Sequence, residues 1–128
     1  MKKLKIFGLN FLLVIFFSCG NNNELTKKQE NQNLIQLFSE IERLANSESC
    51  TDSSEWTFTD YGSKACGGPV GFIAYSRNID TKIFLKKIDE YKIVQQEFNI
   101  KWGIMSDCST PLEPSRVLCE NGSAVFEY

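Results

Sequence analysis

The 128-residue sequence contains no histidine. That absence removes Ser-His-Asp and Cys-His nucleophilic machinery, and with it the usual imidazole-containing zinc sites. The one glycine-rich stretch, Gly67-Gly68-Pro69-Val70-Gly71, lacks the Gly-Lys-Ser/Thr ending of a phosphate-binding loop. Acidic residues show no regular calcium-loop spacing. No metal and no cofactor are therefore expected. Long apolar runs are missing too. The longest, Ile6 to Phe17, has 12 residues and is broken by Gly8 and Asn10, against about 20 for a spanning helix. Nor does positive charge cluster: Lys and Arg number 14 against 16 Asp and Glu, a net of −2. Nucleic acid is thereby excluded as an expected partner. No internal repeat is present.

What is there begins with an address. Lys2, Lys3 and Lys5 precede the apolar run, the basic-then-apolar layout of a cleavable secretory signal. The run closes on Phe16-Phe17-Ser18-Cys19-Gly20. A small residue, then Cys, then Gly resembles the lipobox of bacterial lipoproteins, with Phe16 and Phe17 in place of the usual Leu and small residue. The resemblance implies a signal peptide over residues 1–18. It also implies a diacylglyceryl group, and acyl chains such as palmitate, on Cys19 as the first mature residue. Gly20 after the Cys resembles the outer-membrane type. The expected location is thus the cell envelope, lipid-anchored at the outer membrane and facing either the periplasm or the surface. Cysteine counting agrees. An odd cysteine in an exported chain needs a role, and lipidation of Cys19 leaves Cys50, Cys66, Cys108 and Cys119 for two disulfides in an oxidising compartment.

Without the three signal lysines the chain carries 11 basic and 16 acidic residues, a net of −5. That balance argues against a second, electrostatic contact with the membrane. Residues 19–33 are nearly free of apolar side chains and read as a lipidated Cys followed by a polar tether, flexible or weakly helical. Residues 34–128 then read as a single domain. Leu34, Leu37, Phe38, Ile41, Leu44 and Ala45 recur at helical steps. Asp52 and Glu55 have capping spacing. Trp56 and Phe58 alternate with Thr57 and Thr59 as on a half-buried strand, and Val70 to Ser76 reads as the next strand. Asp80 caps a second helix, Thr81 to about Asn99, with Phe84, Ile88, Tyr91, Gln95 and Phe98 along one face. Asn121-Gly122 lies between two apolar-rich runs, the strongest short-range hairpin signal. In that register Cys119 faces Ala124, Val117 faces Phe126 and Arg116 faces Glu127. The fold class expected is α+β: two helices packed on a small antiparallel sheet, stapled by two disulfides.

Four cysteines allow three pairings. The short-loop pairing, Cys50–Cys66 with Cys108–Cys119, is the expectation. Its first loop of about 15 residues would be worth roughly 3 kcal/mol in the chain-entropy model. The loop candidate for recognition is Lys64, Gly67, Gly68 and Pro69. Cys66 would pin it, Pro69 restricts its backbone, and a stiff exposed loop loses little entropy on binding. The wider pattern is Cys50, Trp56, Gly-Ser-Lys-Ala-Cys-Gly-Gly-Pro at 62–69, Ala74-Tyr75-Ser76, Ser106-Asp107-Cys108 and Cys119. It resembles small Bacteroidetes-type lipoproteins with a Cys-Gly-Gly-Pro motif, a resemblance that implies no particular activity. The function expected is a non-enzymatic binding module of the envelope, with an envelope protein or glycan as partner. Its sharper form is inhibition of an envelope hydrolase. The alternative is a small carboxylate-dependent hydrolase using a pair among Asp52, Glu55, Asp60 and Asp107.

Overall fold

The apolar stripe from Leu34 to Ala45 does form a helix, but the helix starts twelve residues earlier than the stripe. A computed structural model of the chain describes residues 22–128; the signal segment 1–18 and Cys19 lie outside the described residues. Within them, α1 spans Asn22–Ala45. Of the two readings of the polar stretch, flexible or weakly helical, residues 22–33 follow the helical one, as a continuous part of α1. The cause is tertiary. Glu30 accepts a 2.7 Å hydrogen bond from Trp102 Nε1 and forms an ion pair with Lys101. These contacts hold the polar half of α1 against the end of α2, Thr81–Trp102. Asp80 caps α2, accepting from the Ile83 N–H at 3.0 Å, and Gly103 closes it in the left-handed conformation. Glu30 pairs with Lys101 while Glu40 pairs with Lys87 at 2.5 Å, so the two helices run antiparallel. None of the described helices is long and apolar enough to cross a membrane.

Asp52 accepts from the Ser54 N–H and opens a 3₁₀ turn, Ser53–Glu55, that leads into the sheets. β1 (Trp56–Tyr61) and β2 (Gly71–Ser76) form one antiparallel hairpin; β3 (Arg116–Glu120) and β4 (Ser123–Glu127) form a second. The fold is α+β with two disulfides, and the strands divide into two two-stranded sheets. Alternation of side chains along a strand explains the layering. Tyr61, Ile73 and Tyr75 leave one face of the first hairpin and pack on the helices with Leu34, Ile41, Phe84 and Ile88. Trp56, Phe58 and Ala74 leave the other face and pack on Val117, Cys119, Ala124 and Phe126 of the second hairpin. The order of layers is helices, first hairpin, second hairpin. Ile41 and Phe84 are fully buried at the centre of the helical layer. An aromatic group joins the layers, with Phe38 4.8 Å from Tyr61 and 5.2 Å from Tyr91 between ring centroids. Burial pushes the Tyr61 and Tyr91 hydroxyl pKa values up.

The second hairpin has the register read from sequence: Arg116 opposite Glu127, Val117 opposite Phe126, Cys119 opposite Ala124. Asn121 and Gly122 have φ of 51° and 81°, the double positive φ of a type I′ turn. The disulfide pairing differs from the short-loop expectation. Cys50 bonds Cys119, with Cα atoms 5.1 Å apart, and Cys66 bonds Cys108, at 5.8 Å. Layering is the reason. The chain leaving α1 runs onto the second hairpin, where Cys50 N–H donates to Gly122 O at 2.9 Å. Cys50 therefore meets Cys119, which points inward from β3. The loop after β1 instead lies beside the segment after α2, and Cys66 meets Cys108.

Candidate functional site

The loop joining β1 to β2 is closed at its base by Val70 N–H donating to Tyr61 O at 2.9 Å. Inside it, Lys64 N–H donates to Gly68 O and Gly67 N–H to Lys64 O, both at 2.9 Å. These bonds fold Lys64 to Gly68 into a tight turn. Two side chains of α2 hold its near side. Gln95 Oε1 accepts from Ser63 N–H at 2.7 Å, and Asn99 Nδ2 donates to Ser63 O at 2.8 Å. Gly62 permits that approach: a Cβ there would stand 2.7 Å from both Gln95 Oε1 and a Val70 methyl.

The far side is held by the irregular segment between α2 and β3. Ala65 N–H donates to Ser106 Oγ at 3.1 Å. Lys64 Nζ donates to Asp107 Oδ1 at 2.6 Å and to Ser109 O at 2.7 Å. The Cys66–Cys108 bridge completes the attachment. Asp107 accepts a further bond from Ser109 Oγ at 2.8 Å. The Lys64 ammonium, then the Ser109 hydroxyl, hold its pKa below the usual carboxylate value.

Of the four candidate loop residues, Lys64 is turned inward, its side chain only 15% exposed, and it holds the loop together. Pro69 is half-buried. Gly67 and Gly68 stand out in solvent with nothing within 4 Å of where a Cβ would be. Next to the loop, Gly71, Phe72, Pro111, Leu112, Phe126 and Tyr128 surround an apolar recess of about 230 Å³. Leu112 and Tyr128 are largely exposed at its rim. The site is thus a loop held from two sides with a bare glycine tip, and an aromatic hollow that meets the chain at Gly71, where the loop ends. Sequence reasoning had not assigned Gln95, Asn99, Ser106 or Ser109 to this loop. Gln95 carried one signal, being a polar residue on the otherwise apolar face of α2.

The four candidate catalytic carboxylates are not gathered into such a site. Asp52 caps its 3₁₀ turn, and its pKa is lowered by the Ser54 hydroxyl and N–H. Glu55 is exposed, its carbonyl accepting from Arg77 N–H at 2.7 Å. Asp60 lies 4.0 Å from the Lys92 ammonium. Asp107 serves the loop. The lowered values at Asp52 and Asp107 are the reverse of what a general acid needs. Among the described residues no group of three acidic or cysteine side chains could hold a metal ion.

The fold and loop define a small α+β domain built around two disulfides. No protein-family model, curated protein or solved structure matches the chain.

Proposed function

We propose that this chain is a bacterial lipoprotein anchored through Cys19 in the outer membrane, and that its domain is a non-enzymatic binding module of the cell envelope. The contact element is the Cys66-Gly67-Gly68-Pro69 turn with the adjoining aromatic recess. One observation carries the reading. The turn is fixed from both sides, by α2 and by the Cys108 segment, yet its tip is open to solvent. An element already ordered before binding loses little conformational entropy when it binds. Two adjacent glycines let a partner backbone come close. The signal layout, Cys19 and the odd cysteine count support the anchor.

The sharper form of the reading is inhibition of an envelope protease or lysozyme. Titrating the protein into a panel of envelope hydrolases should give stoichiometric inhibition of at least one. That inhibition should vanish in a Gly67→Asn, Gly68→Asn variant, Asn being a side chain that tolerates the positive φ of 91° and 81° at these positions, whose circular dichroism is unchanged. Inhibition that survives in the variant rules out the turn as the contact element. No inhibition across the panel sinks the inhibitor form.

A further inference from the structure

The first turns of α1 project beyond the end of α2. Trp102, the last residue of α2, reaches only the level of Glu30, about 12 Å along α1 from its start at Asn22. Between this projecting segment and the chain leaving α2 lies an open groove of about 780 Å³. Its walls are mostly apolar: Leu25 from α1, Phe98 from α2, and Ile104 beyond it. Leu25 is 70% exposed and Met105, next to Ile104, is 93% exposed. Lys27 and Lys28 line the same groove beside one carboxylate, Glu24. Local charge here is positive, although the chain as a whole is acidic.

Position decides what covers this groove. A tether of 14 residues could carry the domain up to about 50 Å from its anchor when extended. With α1 helical from Asn22, only three residue steps separate Cys19 from the helix. They span at most about 11 Å. On the lipoprotein reading, on which this inference rests, Leu25, three helical residues further on, is then held within about 15 Å of the lipid-bearing Cys19. Apolar side chains flanked by lysines are what an interfacial helix lays into the boundary between headgroups and acyl chains. Lysine ammonium groups can reach the lipid phosphates while their stems cover the apolar surface.

We infer that the groove of Leu25, Phe98 and Ile104 is a membrane-docking face. It would rest in the lipid–water interface with Lys27 and Lys28 at the phosphates, so that the domain lies on the membrane instead of swinging from a tether.

The test uses the full lipidated protein from membranes, reconstituted in phosphatidylethanolamine–phosphatidylglycerol vesicles with brominated acyl chains. Leu25→Trp places a quenchable probe in the groove. Ile83→Trp, also at an exposed position, places one near the opposite end of α2, about 28 Å along the helix from Trp102. Signal from Trp56 and Trp102 is subtracted using the unsubstituted protein. Emission from Leu25→Trp should fall at least two-fold with brominated lipid and that from Ile83→Trp should not change. Leu25→Trp quenched by aqueous iodide and not by brominated lipid overturns the inference. Shielding from both quenchers overturns it too, because a second protein copy then covers the groove. Intact mass, measured on the same preparation, separates the two levels. An unlipidated chain removes the anchor and this inference together; a lipidated chain with an unquenched probe removes the docking face alone.

Discussion

Trypsin cleaves after Arg43, Lys64, Arg77, Lys101 and Arg116, which puts each domain cysteine in its own peptide. A digest of the unreduced, denatured protein should therefore contain two linked pairs. Residues 44–64 should be joined to 117–128 through Cys50–Cys119, and residues 65–77 to 102–116 through Cys66–Cys108. The bridges span 69 and 42 residues, far more than the short-loop pairing would. In the chain-entropy model they contribute about 4.4 and about 3.9 kcal/mol. Replacing Cys66 and Cys108 together by Ala should then cost about 4 kcal/mol. With a urea m-value of ~2 kcal/mol/M, the unfolding midpoint should fall by about 2 M. Removing Cys50 and Cys119 should cost at least as much, because Cys50 is also buried in the second core and its loss leaves a cavity. Linked peptides 44–64 with 65–77 would refute the layered packing from which the pairing follows. A midpoint unchanged in both double variants would refute the energetic reasoning while leaving the pairing intact.

Three further outcomes follow from single side chains. Gly122→Ala puts a Cβ on a residue at φ +81° and should destabilise the domain by ~1–2 kcal/mol, read by urea unfolding; no change would mean that the turn has no bearing on stability. Phe84→Ala empties the fully buried centre of the helical layer and should cost about 3–5 kcal/mol by the same measurement. Asp107 should titrate below the usual Asp range because Lys64 and Ser109 favour its charged form. A folded-state pKa lowered in this way adds stability that is present above the unfolded value and is lost as pH falls through the folded one. The loop should therefore loosen only in strong acid, and Lys64→Met should move the Asp107 titration, followed by carboxyl NMR, up toward the ordinary range.

The elements legible in the sequence are those fixed by neighbours along the chain. Helical spacing in α2 with its Asp80 cap, alternation around Trp56, and Asn121-Gly122 all act within a few residues; they mark their elements and, for the second hairpin, its register. What was not legible depends on distant contacts. Residues 22–33 carry little apolar patterning, and their helix is held by Glu30 meeting Trp102 and Lys101, more than 70 positions on. Disulfide pairing followed the stacking of the two hairpins, which no local signal encodes. The site was half legible. Glycines and Cys66 marked a pinned turn, whereas the partners of Lys64 lie 43 and 45 residues away. A half-buried lysine holding a loop and an exposed lysine awaiting a partner look the same in a sequence.

The central claim is a lipid-anchored domain closed by two disulfides. Intact mass spectrometry of the protein from native membranes, before and after reduction, tests it most directly. The account predicts a chain beginning at a lipidated Cys19, gaining four hydrogens on reduction as Cys50–Cys119 and Cys66–Cys108 open. A mass without lipid, with Cys19 as a free thiol, would contradict it.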